Sequence, residues 1–150
     1  MWLDERTEFC DATSAVMNVG NQIIGDVIDL GSAPTLKDIG AGEPLYLVIQ
    51  VDTAFSDAAD AGTATIQFQL CSDSTENLAT SKTVHIDTGA MAIASLIAGY
   101  TKVYALPQEA TYERYLGLWE TVGTTNLDAG KINAFLTHDV ARWVALPDAL

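Results

Sequence analysis

The sequence predicts an all-β domain, a sandwich or jelly roll of about eight antiparallel strands. Three observations carry that class. Apolar residues recur with period two in short runs, of which Thr65–Ser72 is the clearest, with Ile66, Phe68 and Leu70 on one side and Gln67 and Gln69 on the other. The runs are separated by connections such as Gly31-Ser32-Ala33-Pro34 and Gly40-Ala41-Gly42-Glu43-Pro44, rich in residues that break regular structure. Helix-forming sequence is confined to Ala90–Ala98, which Gly89 and Gly99 limit to one or two turns.

Taken in order, residues 1–22 are polar and mixed, without a sustained period, and read as an N-terminal arm. Ile23–Leu30 is a β-branched run with Ile24, Ile28 and Leu30 on one side, and its Gly25-Asp26 predicts a bulge or an edge position. Leu45–Val51 is the strongest central strand. Leu45, Leu47, Ile49 and Val51 share one face while Tyr46 and Val48 make the other partly apolar. A strand apolar on both sides needs cover on both, so a second sheet or a neighbouring subunit is expected over its far face.

Thr53–Gly62 is small and acidic and reads as a mobile connection, and Ser72–Ser81 as a polar loop. Thr83–Asp87 and Tyr100–Leu106 are short strands, the second ended by Pro107. Tyr112–Thr137 holds two further runs. Leu116, Leu118 and Val122 alternate with Tyr115, Trp119 and Thr121, and after a break Ile132, Ala134 and Leu136 alternate with Lys131, Asn133 and Phe135. They read as two antiparallel strands flanking a loop from Gly123 to Gly130, with register set by core packing. Residues 138–150, with Trp143, Leu146 and Pro147, form an apolar C-terminal tail of the kind that docks on something.

A chain of 150 residues is expected to make one domain and to bury roughly 70% of its extended surface. Apolar residues are 49% and charged residues 18%, which excludes disorder and leaves thin polar cover for a lone domain. The net charge is −13, and no basic cluster exists to neutralise phosphates, so neither direct nucleic-acid binding nor attachment to anionic lipid is expected. No run approaches the ~20 apolar residues of a membrane helix, and the acidic start is unlike a secretory signal. Cys10 and Cys71 read as reduced packing residues.

No phosphate loop, nucleophile elbow or HExxH is present, and no catalytic, cofactor-binding or metal residue is assigned. Four constellations are weighed. His85 and Asp87 share a face if Thr83–Asp87 is a regular strand, whereas the adjacent His138 and Asp139 face opposite ways. Asp57 and Asp60 lack the alternating ligands and closing Glu of a calcium loop, which favours a solvated loop. Tyr112, Tyr115 and Trp119 suit sheet packing, or else a stacking platform for sugars.

Several motifs, in order along most of the chain, carry a family resemblance. They are Ile28-Asp29-Leu30-Gly31, Ile39–Tyr46, Val51-Asp52-Thr53-Ala54-Phe55, Arg114-Tyr115-Leu116-Gly117-Leu118, and Ala129–Leu136, with Asp139-Val140 and Trp143 beyond. Together they resemble the capsid cement, or decoration, proteins of short-tailed double-stranded-DNA bacteriophages of the Bordetella-phage type. The resemblance implies a jelly-roll-like β-sandwich with extended N- and C-terminal arms. It implies a homotrimer on the outer capsid surface, bridging capsomers of a major capsid protein with the HK97-type fold. It implies no catalytic residues. Trp2 and Leu3 in one arm and Trp143, Leu146 and Pro147 in the other are the candidate contacts. The alternative is a carbohydrate-binding β-sandwich using Tyr112, Tyr115 or Trp119.

Overall fold

A computed structural model describes residues 5–32, 39, 43–59 and 61–140. Nine strands run through them: β1 (Glu8–Ser14), β2 (Gly20–Asp29), β3 (Tyr46–Asp57), β4 (Thr65–Asp73), β5 (Thr83–Asp87), β6 (Met91–Ala92), β7 (Thr101–Ala105), β8 (Tyr115–Gly123) and β9 (Leu127–Thr137). Helical content among the described residues is two single 3-10 turns, Glu5–Thr7 and Ile93–Ser95, the second occupying the Ala-rich stretch. One antiparallel sheet, here sheet A, has the order β1-β9-β3-β7. The other, sheet B, has the order β2-β8-β4-β5, with the two-residue β6 beside β4. The first strand pairs with the last, the second with the next to last, and the chain crosses from sheet to sheet between them. That is the double Greek key of a jelly roll, as expected.

The core lies between the sheets. β3 contributes Leu47, Ile49 and Val51 and β9 contributes Ile132, Ala134 and Leu136, against Ile66, Phe68 and Leu70 of β4 and Leu116, Leu118 and Val122 of β8. All are buried, and each large apolar side chain among them contributes about 1.5–3 kcal/mol through the surface it removes from water.

Three expectations are corrected. First, β8 and β9 do not pair with each other: β8 lies between β2 and β4, and β9 between β1 and β3. Their connection is a crossing from one sheet to the other. β9 also starts at Leu127, so the intervening loop is shorter than Gly123–Gly130. Gly130 belongs to the strand because register shifts between β3 and β9 bring the Phe55 ring against its backbone, where a β-carbon would stand 2.5 Å from Phe55 Cδ1. Second, β3 continues to Asp57 through residues read as mobile. Third, residues 8–14 of the expected N-terminal arm are β1, an edge strand of sheet A, and β2 begins within the arm at Gly20. β1 carries register shifts on either side of Cys10, so neighbours Phe9 and Cys10 are both buried and period two is lost. The predicted irregularity in β2 is present, as a register shift between Ile24 and Ile28 on an edge strand.

Two strands end on a buried aspartate that ties down the loop after it. Asp57 accepts hydrogen bonds from the backbone N–H groups of Ala61, Gly62, Thr63 and Ala64 at 2.8–3.3 Å. Asp73 accepts from the N–H groups of Thr75, Thr80 and Ser81 at 2.9–3.1 Å. Burial raises the Asp73 carboxyl pKa, but these donors outweigh it and bring the pKa to about 2. The Asp73 clasp presses Leu78 onto the outer surface of sheet B, over Gly117, where a β-carbon would stand 2.7 Å from Leu78 Cδ1. An Asp73→Asn change offers N–H groups to N–H donors. It is expected to lower Tm by about 5 °C in a thermal melt, with Leu78 losing its seat.

Candidate functional site

The constellations weighed from the sequence are dispersed by the fold. The register of β5 against β4 shifts at His85, pairing Ile86 with Leu70 and Val84 with Cys71. His85 and Asp87 are thereby separated. His85 Nε2 lies 2.7 Å from Ser72 Oγ, and its ring stacks on Tyr112 with centroids 4.2 Å apart. Asp87 instead accepts from the Gln67 and Gln69 side-chain amides and from Gly89 N–H. The Ser72–His85 pair has the spacing of a nucleophile and base. However, Ser72 is fully buried, its Oγ also takes the Glu113 N–H, and burial lowers the His85 pKa. The pair ties β4, β5 and the approach to β8 together. Nothing in the sequence marks it, since its members are thirteen positions apart and meet only through strand pairing.

His138 Nδ1–H donates to the Pro44 carbonyl at 3.0 Å, which ties the end of β9 to the start of β3. Asp57 spends its oxygens on backbone donors, while Asp60 lies outside the described residues. Among the described residues no group of three or more His, Cys, Asp or Glu is arranged to hold a metal ion. Both cysteines are free and buried, and burial pushes the Cys10 thiol up to about 12 and the Cys71 thiol up to about 11. Neither is a nucleophile at neutral pH.

The three aromatics do not make one platform. Tyr112 is buried, with its hydroxyl donating to the Pro107 carbonyl at 3.0 Å. Trp119 and Tyr115 do share the outer surface of sheet B, and each ring already faces a cation. Lys82 Nζ lies 3.7 Å from the Trp119 centroid, and the Arg114 guanidinium carbon lies 4.8 Å from the Tyr115 centroid.

The far surface of sheet A is where cover was expected. Cross-strand register aligns Phe135, Val48 and Val103 in one row, on the side of β9, β3 and β7 that faces away from the core. Val48 is 0% exposed and Phe135 2% within the single chain. The cover over these two therefore comes from the same chain and needs neither a further sheet nor a subunit, which corrects the expectation. What stays open is smaller. Val103 at the sheet edge is 41% exposed, and at the loop tips Ile97 is 63% exposed, with Val16 and Val19 also exposed. Trp2, Leu3, Trp143, Leu146 and Pro147, the predicted contacts, lie outside the described residues.

Four of the motifs that carry the resemblance meet in space, two by two. Asp29 accepts both Nε–H and Nη2–H of Arg114, at 2.9 and 2.8 Å, while Leu30 N–H donates to the Arg114 carbonyl at 2.7 Å. Thr53 pairs with Lys131, and Phe55 packs on Gly130. Segments far apart in sequence thus hold the sandwich together as fitted pairs. The family model Bbp16 matches residues 12–136, from within β1 to the penultimate residue of β9. The chain belongs to the Bbp16 family. Bbp16 is a Bordetella phage protein family, so the chain is a phage protein. No curated relative matches it. Among the described residues of this Bbp16-family protein, no helix is long and apolar enough to cross a membrane.

Proposed function

We propose that this Bbp16-family protein is a capsid cement protein. It is a homotrimer on the outer surface of a phage capsid, stabilising contacts between capsomers of an HK97-type shell protein, and it performs no catalysis. The observation that carries this reading is membership of a phage family across residues 12–136, joined to the motifs that resemble cement proteins. Two physical features support it. Cement holds by many distributed contacts, and the exposed Val16, Val19, Ile97 and Val103 supply apolar points at the loop tips and one sheet edge, with Trp2, Leu3, Trp143, Leu146 and Pro147 as the proposed arm contacts. The charge of −13 also suits the outside of a container of nucleic acid, whose phosphates repel it.

Glycan binding finds no such support, because Tyr112 is turned into the core and Tyr115 and Trp119 are engaged by Arg114 and Lys82. Light scattering tests the trimer. Three chains of 16.0 kDa each are expected to give about 48 kDa at micromolar concentration, and a single-chain mass contradicts the proposal.

A further inference from the structure

Glu120 stands apart from every other carboxylate described. It follows Leu116 and Leu118 at the same strand parity, so β8 turns it into the space between the sheets, where it is 0% exposed. Strand register sets it between Gln22 of β2 and Phe68 of β4. Its Oε1 accepts a hydrogen bond from Gln22 Nε2 at 2.6 Å, and its Oε2 is buried with no partner. Cys10 of β1 feels its charge, together with the charges of Asp26 of β2 and Glu8 of β1. That thiol is neutral, the other two are acidic, and no cation is among the described groups acting on Glu120.

The strand that supplies Gln22 is the edge of sheet B. Its register breaks between Ile24 and Ile28, and Gly25 there has φ +72°. Gly20–Ile24 is thus a half-strand, paired with Leu118–Val122 and separated by that break from the pair formed by Ile28 and Asp29. Gln22 itself is exposed, so the hydrogen-bond partner of the Glu120 carboxyl reaches solvent.

We propose that Glu120 is a proton-operated latch on the edge of sheet B: protonated, it lets the Gly20–Ile24 half of β2 close on β8, and ionised, it draws water past Gln22 and loosens that half-strand. The chemistry is solvation alone. A neutral carboxyl tolerates the apolar surroundings of Phe68, whereas a carboxylate with one bare oxygen does not, and the half-strand is the element free to yield. Burial raises the group to about 7, with Gln22 opposing, so the latch works near neutrality.

Hydrogen exchange of the Gly20–Ile24 amides, corrected for intrinsic rates, is the test. Protection is expected to fall about tenfold or more between pH 5.5 and 8.5 relative to the Phe68–Leu70 amides of β4, and Glu120→Gln is expected to abolish the difference. Equal protection at both pH values, or a difference that survives in Glu120→Gln, overturns the proposal. Should that variant not fold, carbon-13 titration of the wild-type carboxyl decides. A midpoint between about 6 and 8 supports the latch, and one below about 5 overturns it.

Discussion

Replacing Gly25 by alanine is expected to destabilise the domain by about 2–5 kcal/mol and to lower Tm by roughly 5–15 °C. Two effects add. The residue has φ +72°, a left-handed conformation that a β-carbon disfavours. That carbon would also lie 1.9 Å from the Phe9 carbonyl oxygen and 2.6 Å from Cys10 Sγ. The carbonyl belongs to β1 and cannot rotate aside as a side chain would, so β1 and β2 must part. Gly62 separates the two effects, since its φ is +62° but no atom lies within 4 Å of the place its β-carbon would take. Gly62→Ala is expected to cost only about 1–2 kcal/mol. Urea midpoints of the two variants measure the difference. Equal shifts would mean that β1 does not sit against Gly25 as described.

Stability is expected to peak at acidic pH, about 4–5, and to fall on both sides. The acid side comes from the two clasps. Asp73 is held at about 2, below its ordinary 3.8, and Asp57 is also lowered, because backbone donors outweigh the burial that raises both. Such carboxylates favour folding above pH 4, and that contribution is lost as pH falls through their folded values. The alkaline side comes from Glu120, which has the opposite sign. Burial raises it from 4.5 to about 7, so the unfolded chain releases its proton first. Its contribution is complete below pH 4.5 and is lost by pH 7, a change of roughly 3 kcal/mol at most. Denaturation at pH 5 and pH 8 measures it. Glu120→Gln is expected to flatten the alkaline side and leave the acid side unchanged. A wild-type domain equally stable at pH 5 and pH 8 would contradict the burial assigned to Glu120.

Most of the sandwich was legible because an inward-facing position on a two-sheet protein must be apolar at every second residue. β4 reads directly for that reason, with Ile66, Phe68 and Leu70 inward and two glutamines outward. β1 was not legible, since its register shifts bury the neighbours Phe9 and Cys10 and leave no alternation to find. The extension of β3 past Val51 was hidden similarly. Thr53 and Ala54 are exposed on an irregular edge, and only the distant Gly130 shows where Phe55 goes.

The relation of β8 to β9 shows another limit. Two alternating runs beside a glycine-bounded loop look alike whether the chain turns back within one sheet or crosses to the other, and only pairing with β2, β4, β1 and β3 decides. Glu120 was readable in principle, as it shares parity with Leu116, Leu118 and Val122, but a carboxyl is ordinarily assigned to the outside. The Ser72–His85 contact had no signal at all, because a skipped residue in β5 creates it. The surplus apolar surface inferred from β3 was overestimated, since a single chain buries Val48 and Phe135 by itself.

Imaging capsids that lack this protein, before and after adding it back in purified form, bears most directly on the proposal that it is a cement protein. Density of jelly-roll size is expected on the outer surface, bridging adjacent capsomers in groups of three, together with greater resistance of filled capsids to heat. A shell that stays bare at saturating protein, or density confined to its interior, would contradict it.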